Sequence, residues 1–446
     1  MTSPYTLATA PGAWPLLGHA FLLARRPFQF VASLPAHGDL VRIRLGPHEA
    51  YVVCHPDLVH QALVEDRVVD KGGPFYDRLR EVAGNGLGTC QATDHRRQRR
   101  LVQPAFRRDR MPGYATIMSE ETTALIADWH DDQVLNVPAA MDRLTTAVIA
   151  RCLLGASADP GTDASELFAV YRSVDAVSSG ISRRVMVPVP MIGKLPTPGN
   201  RHFTQAQAHL RQLTETLIAD YRSAGVDHAD LLSMLLAAPD GDDQGLSDTE
   251  IHDQVITFLL AGTETTASVL SWAWHLIGTH PHIQHQLQTE TDTVLGGRPA
   301  HHSDLPALEL TGRIVNETLR LYPPAWMTTR TTTTDTLLGG HALPAGTTLI
   351  YSAYQIHRRA DLFPDPDRFD PDRWQSTGNP PKGTWIPFGG GARKCIGDTF
   401  ALTQITLTLA TIAAHWQLQP IPGKQVRPAR RATLTPRELS MRLHQR

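Results

Sequence analysis

Cysteine is scarce in this chain of 446 residues. It occurs four times, at positions 54, 90, 152 and 395, and no two of these positions stand in a CxxC spacing. The scatter argues against a disulfide framework and against a zinc site. We therefore expect a protein of a reducing compartment, the cytoplasm.

Excess charge and long apolar runs are also missing. The 42 basic and 44 acidic residues leave a formal net charge of -2, which gives no overall attraction to nucleic acid or to a membrane. The N-terminus lacks a basic region followed by a long apolar core, and the most apolar interior stretch, 255–277, contains Glu264. We expect a soluble monomer without a membrane anchor or a nucleic-acid partner.

Internal repeats and shifts of composition are absent from the sequence as well. A content of 41% hydrophobic and 19% charged residues is typical of a globular protein. We expect one domain over residues 1–446, whose residues 1–20 form an irregular, proline-rich segment.

The spacing of apolar residues predicts a mainly α-helical protein with smaller β-sheets, an α+β fold class. Helices are expected at 28–34 and 57–65 and through most of 114–240, with a proline-rich break at 188–198. A β-hairpin is predicted for 40–45 and 50–54, and a further strand for 347–351. The glycine-rich stretch 70–90 predicts a long loop.

The stretch Phe388–Gly397 places Cys395 in glycine-rich backbone, directly before an apolar helical run at 396–415. The free N–H groups and the dipole at a helix N-terminus favour a thiolate there. Such a thiolate is a metal ligand or a nucleophile, and the lack of an obvious histidine base nearby favours the metal. A structural cysteine beside a loop is the alternative.

A capping box from Ser247 to Glu250 begins a helix that is predicted to run to about residue 277, and at about 1.5 Å per residue it is about 45 Å long. A helix of that length crosses the centre of the molecule. Its middle holds the polar stretch Ala261–Thr266, which is costly to bury unless the protein uses it. A solvated helix face is the alternative.

Two further patterns bring charged side chains together. Glu317 and Arg320 lie one turn apart on a helix predicted over 310–321, and Arg368 is expected to join them because a buried ion pair needs its remaining donors and acceptors satisfied. His95 and Arg99 share one face of a basic helix, which suits either an anion or solvent.

In this order the segments resemble the cytochrome P450 family over essentially the whole chain. The signatures Ala261–Thr266, Glu317–Arg320, Pro366–Phe369 and Phe388–Gly397 follow the family's order, and the last fits the highly specific pattern FxxGxRxCxG. The departures are mild: PDRF replaces PERF at 366–369, and His95 stands where many members have tryptophan.

The resemblance implies a P450 fold with haem b, iron protoporphyrin IX, between the long central helix and the cysteine-loop helix. Cys395 would be the axial thiolate ligand of the iron. The other implied cofactor-binding residues are Phe388, Gly397, His95, Arg99, Arg330 and Arg393, of which the charged ones would pair with the propionates. Glu317, Arg320 and Arg368 would be structural.

Thr265 and Glu264 are the catalytic residues that the resemblance implies, since monooxygenation needs protons delivered at the haem. No flavin or nicotinamide signature follows the cysteine region, so a separate ferredoxin and its reductase would supply the electrons. The expected docking surface for an acidic donor consists of Arg96, Arg97, Arg100 and Arg107.

The residues expected to line the substrate pocket are mostly apolar, which suits a hydrophobic molecule. They are Phe75, Tyr76, Ala261, Trp326 and Met327, together with the segment 174–191. The chain is similar to bacterial P450s that oxidise cyclic terpenes, so a sesquiterpene-like terpenoid of secondary metabolism and antibiotic biosynthesis is the expected substrate. A fatty-acid, steroid or macrolide hydroxylase, a peroxide-driven peroxygenase and a haem sensor without turnover are the alternatives.

Overall fold

The computed structural model describes residues 4–154, 164–186, 197–224, 230–237, 245–375, 380–429 and 433–446. The described part is mainly α-helical with smaller β-sheets, as the apolar spacing predicts. Its α-helices are α1 (Ala20–Arg25), α2 (Pro27–Ser33), α3 (Pro56–Val64), α4 (Pro74–Ala83), α5 (Ala92–Val102), α6 (Met111–Ala127), α7 (Val137–Leu154), α8 (Ala164–Met186), α9 (Pro198–Ala224), α10 (Leu231–Ala237), α11 (Asp248–Thr279), α12 (Pro281–Leu295), α13 (Glu309–Leu321), α14 (Ala353–Ile356) and α15 (Asp398–His415).

Short strands and 3-10 helices complete the secondary structure. The strands are β1 (Leu7–Thr9), β2 (Leu40–Leu45), β3 (His48–Val53), β4 (Val69–Asp70), β5 (Val134–Asn136), β6 (Thr328–Thr332), β7 (Thr336–Leu338), β8 (His341–Leu343), β9 (Thr348–Tyr351), β10 (Trp416–Pro420), β11 (Arg427–Pro428), β12 (Pro436–Arg437) and β13 (Ser440–Gln445). The 3-10 helices are Leu34–Ala36, Gln103–Phe106, Arg108–Arg110, His302–Ala307, Pro371–Trp374 and Gly391–Arg393.

The largest sheet joins distant parts of the chain in the order β1-β2-β3-β9-β6-β4. Strands β2 and β3 form the predicted hairpin, and Leu40 lies opposite Val53. Val53 in turn pairs with Tyr351 of β9, and Arg330 of β6 lies opposite Leu349. The sheet therefore carries Arg330 into the same region as the first 70 residues of the chain. The smaller sheets have the orders β10-β13-β5, β11-β12 and β7-β8.

Helix α11 lies at the centre of the helical part. Its capping box between Ser247 and Glu250 is present, and the helix extends over 32 residues. It packs against α7, where the Thr145 hydroxyl donates to the carbonyl oxygen of Thr263 at 3.1 Å. At its C-terminal half the Trp272 indole is fully buried. The expectation that this helix crosses the core is confirmed.

The long loop predicted for 70–90 is wrong, because helix α4 occupies ten residues in the middle of that stretch. The glycines that favoured a loop mark the ends of this helix: Gly73 precedes it with φ +85° and Gly84 follows it with φ +56°. Left-handed backbone of this kind is accessible to glycine at little cost, and it terminates helices. Residues 188–196 of the predicted break at 188–198 lie outside the described residues. The same is true of residues 187–191, the end of the candidate pocket segment 174–191.

None of the described helices combines the length and the apolar content that a bilayer crossing requires.

Candidate active site

Cys395 lies in a tight loop just before α15. Gly391 in this loop has φ +63°, and a side chain there would meet the backbone, since a Cβ atom would lie 1.9 Å from the carbonyl oxygen of Leu63. The N–H of Cys395 donates to the carbonyl oxygen of Phe388 at 2.9 Å, which closes the loop. Gly397 is the N-cap residue of α15, so the predicted position of the cysteine near the helix start is confirmed.

The thiol of Cys395 differs from the other three in its surroundings. Cys54, Cys90 and Cys152 are buried, whereas Cys395 is exposed. Protein around the sulfur still raises the pKa of the Cys395 thiol, while the N–H of Gly397 and nearby cations act in the opposite direction. An accessible sulfur that already receives a backbone N–H is suited to bind a metal cation, which would stabilise the thiolate.

Open space also adjoins the middle of α11. Residues 251–259, Thr263 and residues 266–274 are buried, but Ala261 is exposed and Glu264 and Thr265 are half-buried. The Thr265 hydroxyl donates to the Ala261 carbonyl oxygen at 2.6 Å. Phe106 connects this helix with the cysteine loop, because its ring lies 5.3 Å from that of Phe258 and next to Gly397. The exposed turn of the core helix and the exposed thiol therefore belong to one region.

The Glu264 carboxylate on the same turn is held by a segment from the end of the chain. The Thr433 hydroxyl donates to Glu264 Oε1. The neighbouring carbonyl of Leu434 accepts from Ser268 Oγ at 2.6 Å and from Trp272 Nε1 at 2.8 Å, which fixes this segment on α11. Thr433 was not identified from the sequence, and no spacing could reveal it, since it lies 169 residues from Glu264.

A group of buried cations lies beside the cysteine loop. Arg393 is 7% exposed, forms an ion pair with Asp70 and donates to the carbonyl oxygen of Cys90 at 3.0 Å. Lys71 donates to the carbonyl oxygen of Gly88 at 2.8 Å. Lys71 is a further residue that sequence reasoning missed, because no motif includes it.

Arg330 joins this group from strand β6. It is 4% exposed, and its guanidinium donates to the hydroxyls of Tyr76 and Tyr351, both at 3.2 Å. Burial opposes the ionisation of Tyr76, yet Arg330 and Lys71 together lower its pKa to about 8. A tyrosine pKa of this size indicates a strongly positive surrounding.

The remaining predicted anion-binding residues lie on α5. His95 is buried, and its burial together with Arg393, Lys71 and Arg99 lowers its pKa to about 3. Arg99 donates to the carbonyl oxygen of Lys394, the residue before Cys395, at 2.6 Å. The structure therefore brings the neutral His95 ring together with the cations Arg99, Arg330 and Arg393. Counted with Lys71, these cations carry more charge than Asp70, the partner of Arg393, neutralises.

This arrangement suits a group that carries several negative charges and a metal. Buried cations are stable only with compensating anions. The exposed Cys395 sulfur offers the metal ligand next to them. The family model described as Cytochrome P450 matches residues 9–442. The chain belongs to the cytochrome P450 family. P450s are haem monooxygenases. The cations fit the two propionates of a haem, which carry one negative charge each, and the thiol fits its iron, which takes a thiolate ligand.

Curated P450s resemble this chain over nearly its whole length. It is 47% identical over 423 residues to cyclooctat-9-en-7-ol 5-monooxygenase of Streptomyces melanosporofaciens, covering 94% of this chain and 91% of that protein. It is 48% identical over 436 residues to cyclooctatin synthase of the same organism, covering 97% and 94%. It is 47% identical over 444 residues to pentalenene oxygenase of Streptomyces avermitilis, covering 98% and 97%.

The structural residues of this P450 form one buried network around Glu317. Arg320 donates to both Glu317 oxygens at 2.8 Å, and both side chains are 0% exposed. Arg368 joins this network through its backbone carbonyl, 3.1 Å from Arg320 Nη2, while its side chain is exposed. The second guanidinium of the network belongs to Arg373, which donates to Glu317 Oε1 at 3.0 Å.

Most of the predicted substrate contacts lie elsewhere. Trp326 is 5% exposed and packs on the Phe28 ring at 4.9 Å, so it belongs to the core behind the large sheet rather than to a pocket wall. Met327 packs against the same core cluster. Tyr76 serves the cation group, and the half-buried Phe75 ring contacts it at 5.2 Å. Ala261 alone among the five is exposed.

Proposed function

We propose that this P450 uses haem b to oxidise a terpenoid, a sesquiterpene-like hydrocarbon of secondary metabolism and antibiotic biosynthesis. Identity of 47–48% to enzymes named for cyclooctat-9-en-7-ol, cyclooctatin and pentalenene supports this substrate class. The observation that carries the haem-thiolate chemistry is the exposed Cys395 sulfur beside the buried cations. We place the protein in the cytoplasm as a monomer.

The residues that would hold the haem follow from their positions. Cys395 would ligate the iron, with the Gly397 N–H moderating the charge of its sulfur. The propionates would pair with the charges of Arg393, Arg99 and Arg330, to which the structure adds Lys71, and the neutral His95 ring would donate a hydrogen bond to them. When bound, the haem supplies an iron that activates dioxygen and transfers one oxygen atom to the substrate.

Proton delivery would use two residues of α11. The Thr265 hydroxyl can rotate from the Ala261 carbonyl toward the open side of the helix and bind water there. The Glu264 carboxylate, one position earlier, can take a proton from solvent and pass it on through that water. Thr433 would hold this carboxylate in place.

The electrons would come from a separate ferredoxin and its reductase. A groove of about 940 Å³ on this side of the protein is lined by Asp66, Arg67, Ala92, Thr93, His95, Arg96, Arg99, Arg100, Gln103, Pro104, Arg107, Gly391, Ala392 and Arg393. Arg96, Arg100 and Arg107 on this groove are not assigned to the propionates, and their positive charge suits an acidic donor. Arg97, predicted to belong to the docking surface, does not line the groove and pairs with Glu250 of α11.

The decisive experiment for the haem-thiolate assignment is the spectrum of the reduced protein under carbon monoxide. The wild type is expected to show a red-shifted Soret band. Cys395→Ser should abolish the shift, and Cys90→Ser should retain it. A band without that shift in the wild type would exclude thiolate ligation.

The substrate class is tested by titrating cyclic terpenes, steroids, macrolides and fatty acids into the ferric protein and then measuring turnover with a surrogate ferredoxin and reductase. Cyclic terpenes are expected to displace water from the iron and to be oxidised. Preferential oxidation of another class would contradict the proposal. Product formation with peroxide alone would indicate a peroxygenase, and ligand binding without any product would indicate a sensor.

The docking surface is tested by the salt dependence of ferredoxin-supported turnover. Charge reversal at the exposed Arg96 and Arg100 should raise KM for ferredoxin and weaken its dependence on ionic strength. Arg211→Glu, on the exposed face of α9, is the matched control. An unchanged salt dependence in the Arg96 and Arg100 variants would remove this surface from the proposal.

A further inference from the structure

Exposed apolar side chains are concentrated at one turn near the start of the chain. Leu16 is 88% exposed, and Trp14 and Leu17 are each 51% exposed. These are three of the seven large apolar residues that are exposed in the described part of the chain. We call them the apolar tip. Clustered exposed apolar groups usually mark an interaction site.

The turn that carries the apolar tip is held in a fixed conformation. Trp14 and Gly18 exchange two backbone hydrogen bonds of 2.8 Å, and the N–H of Gly46 donates to the carbonyl oxygen of Leu17 at 3.1 Å. Leu16 has φ +62°, a left-handed conformation that leucine rarely adopts. The Leu16 side chain is not buried in the protein, so burial does not offset the cost of this conformation. We infer that a contact outside the protein is the physical reason for the conformation.

Aromatic and cationic side chains lie directly behind the tip. The Trp14 ring contacts the Phe21 ring at 4.9 Å, and the Arg25 guanidinium lies 5.8 Å from the centre of the Phe21 ring. Arg25 and Arg26 are both exposed. Tryptophan and arginine that present an apolar body and a polar end are typical of the boundary between lipid and water.

The chain segment that carries the tip has charge of one sign. Residues 1–38 contain no aspartate or glutamate, but they contain Arg25 and Arg26. On the adjoining hairpin the Glu49 carboxylate lies 3.8 Å from Arg42 and is thereby partly compensated. The surface next to the tip is therefore complementary to an anionic partner.

We propose that the apolar tip, with Arg25 and Arg26, docks this protein onto an anionic lipid bilayer. The tip enters the headgroup region, and the two arginines bind lipid phosphates. Attachment of this kind is peripheral and reversible. A protein partner is less suited to this feature, because specific protein interfaces bury larger areas than one turn provides.

The experiment measures sedimentation of the full-length holoprotein with vesicles of phosphatidylcholine, alone or mixed with phosphatidylglycerol. Binding to the mixed vesicles that weakens with salt is expected. Leu16→Ser should lower the partition coefficient about tenfold, because it removes one apolar side chain from the lipid. The double variant Arg25→Gln/Arg26→Gln should lower it about tenfold on anionic vesicles and little on neutral ones.

Val134→Ser is the matched control, since Val134 is 51% exposed but lies in a different sheet. It should bind as the wild type does. All variants should keep the carbon-monoxide spectrum, which shows that they are folded. Absence of vesicle binding, or equal binding of Leu16→Ser and wild type, would overturn the proposal. Self-association of the wild type that Leu16→Ser abolishes, without vesicle binding, would instead make the tip a contact between copies of this chain.

Discussion

Arg373 Nε lies 3.0 Å from Glu317 Oε1, and it does so from a 3-10 helix 56 residues further along the chain. Trp374 Nε1 from the same short helix donates to Glu317 Oε2 at 2.9 Å. Glu317 thereby has partners for both oxygens besides Arg320. Donors from separate segments therefore converge on one buried carboxylate, and the loss of one of them removes a hydrogen bond to a charged group.

Arg373→Ala is expected to lower the free energy of unfolding by about 1.5 kcal/mol, because it removes a hydrogen bond from a charged donor to the buried Glu317 carboxylate. Arg368→Ala should change it by less than about 0.5 kcal/mol, since the exposed side chain is removed and the carbonyl that accepts from Arg320 remains. Chemical unfolding followed by circular dichroism measures both. Equal destabilisation by the two substitutions would contradict the described network.

Thr265→Ala is expected to divert reductant from product to hydrogen peroxide and to lower product turnover about tenfold or more, because the hydroxyl near the reaction centre is lost. Thr263→Ala is the matched control. Its hydroxyl makes the same bond to the preceding turn, 2.7 Å from the Leu259 carbonyl oxygen, but it is 4% exposed on the face toward α7. Peroxide and product are measured per NADH consumed, and unchanged coupling in Thr265→Ala would exclude the hydroxyl from the mechanism.

Thr433→Val should act through Glu264, because it removes a hydroxyl that donates to the carboxylate while keeping the shape of the side chain. Loss of a hydrogen bond to a charged group is worth about 1.5 kcal/mol, so a decrease in kcat of about tenfold with a shifted pH profile is expected. Thr433→Ser should restore both. A Val variant with the wild-type pH profile would show that Thr433 has only a packing role.

Features that depend on neighbouring residues were predictable from the sequence, whereas contacts between distant segments were not. Local signals located Cys395, the capping box of α11 and the hairpin of β2 and β3, because each depends on residues close in the chain. Lys71, Thr433 and Arg373 were missed because their roles arise from contacts between distant segments. Trp326 was misplaced for the same reason, as an aromatic residue near a motif can face either side of its segment.

His357 makes the stability of the fold depend on pH. It is 0% exposed, and burial together with Arg320 and Arg358 lowers its pKa to about 3. Its Nε2 accepts from the N–H of Ile386 at 3.0 Å, which requires the neutral ring. Between about pH 6.5 and 3 the unfolded chain therefore binds a proton at this residue and the folded chain does not.

It follows that the free energy of unfolding falls as the pH decreases through this window, by about 1.4 kcal/mol per pH unit from His357. His357→Gln retains an acceptor for Ile386 without a titrating ring, so it should remove this part of the slope. His130→Gln, at an exposed site, should keep it. Urea unfolding at several pH values from 7 down to 5 measures the slopes. Equal loss of stability per pH unit in His357→Gln and the wild type would contradict this role of His357, and another buried base would then account for the pH dependence. The reason is that a fold that keeps His357 neutral must lose stability as the unfolded chain gains that proton.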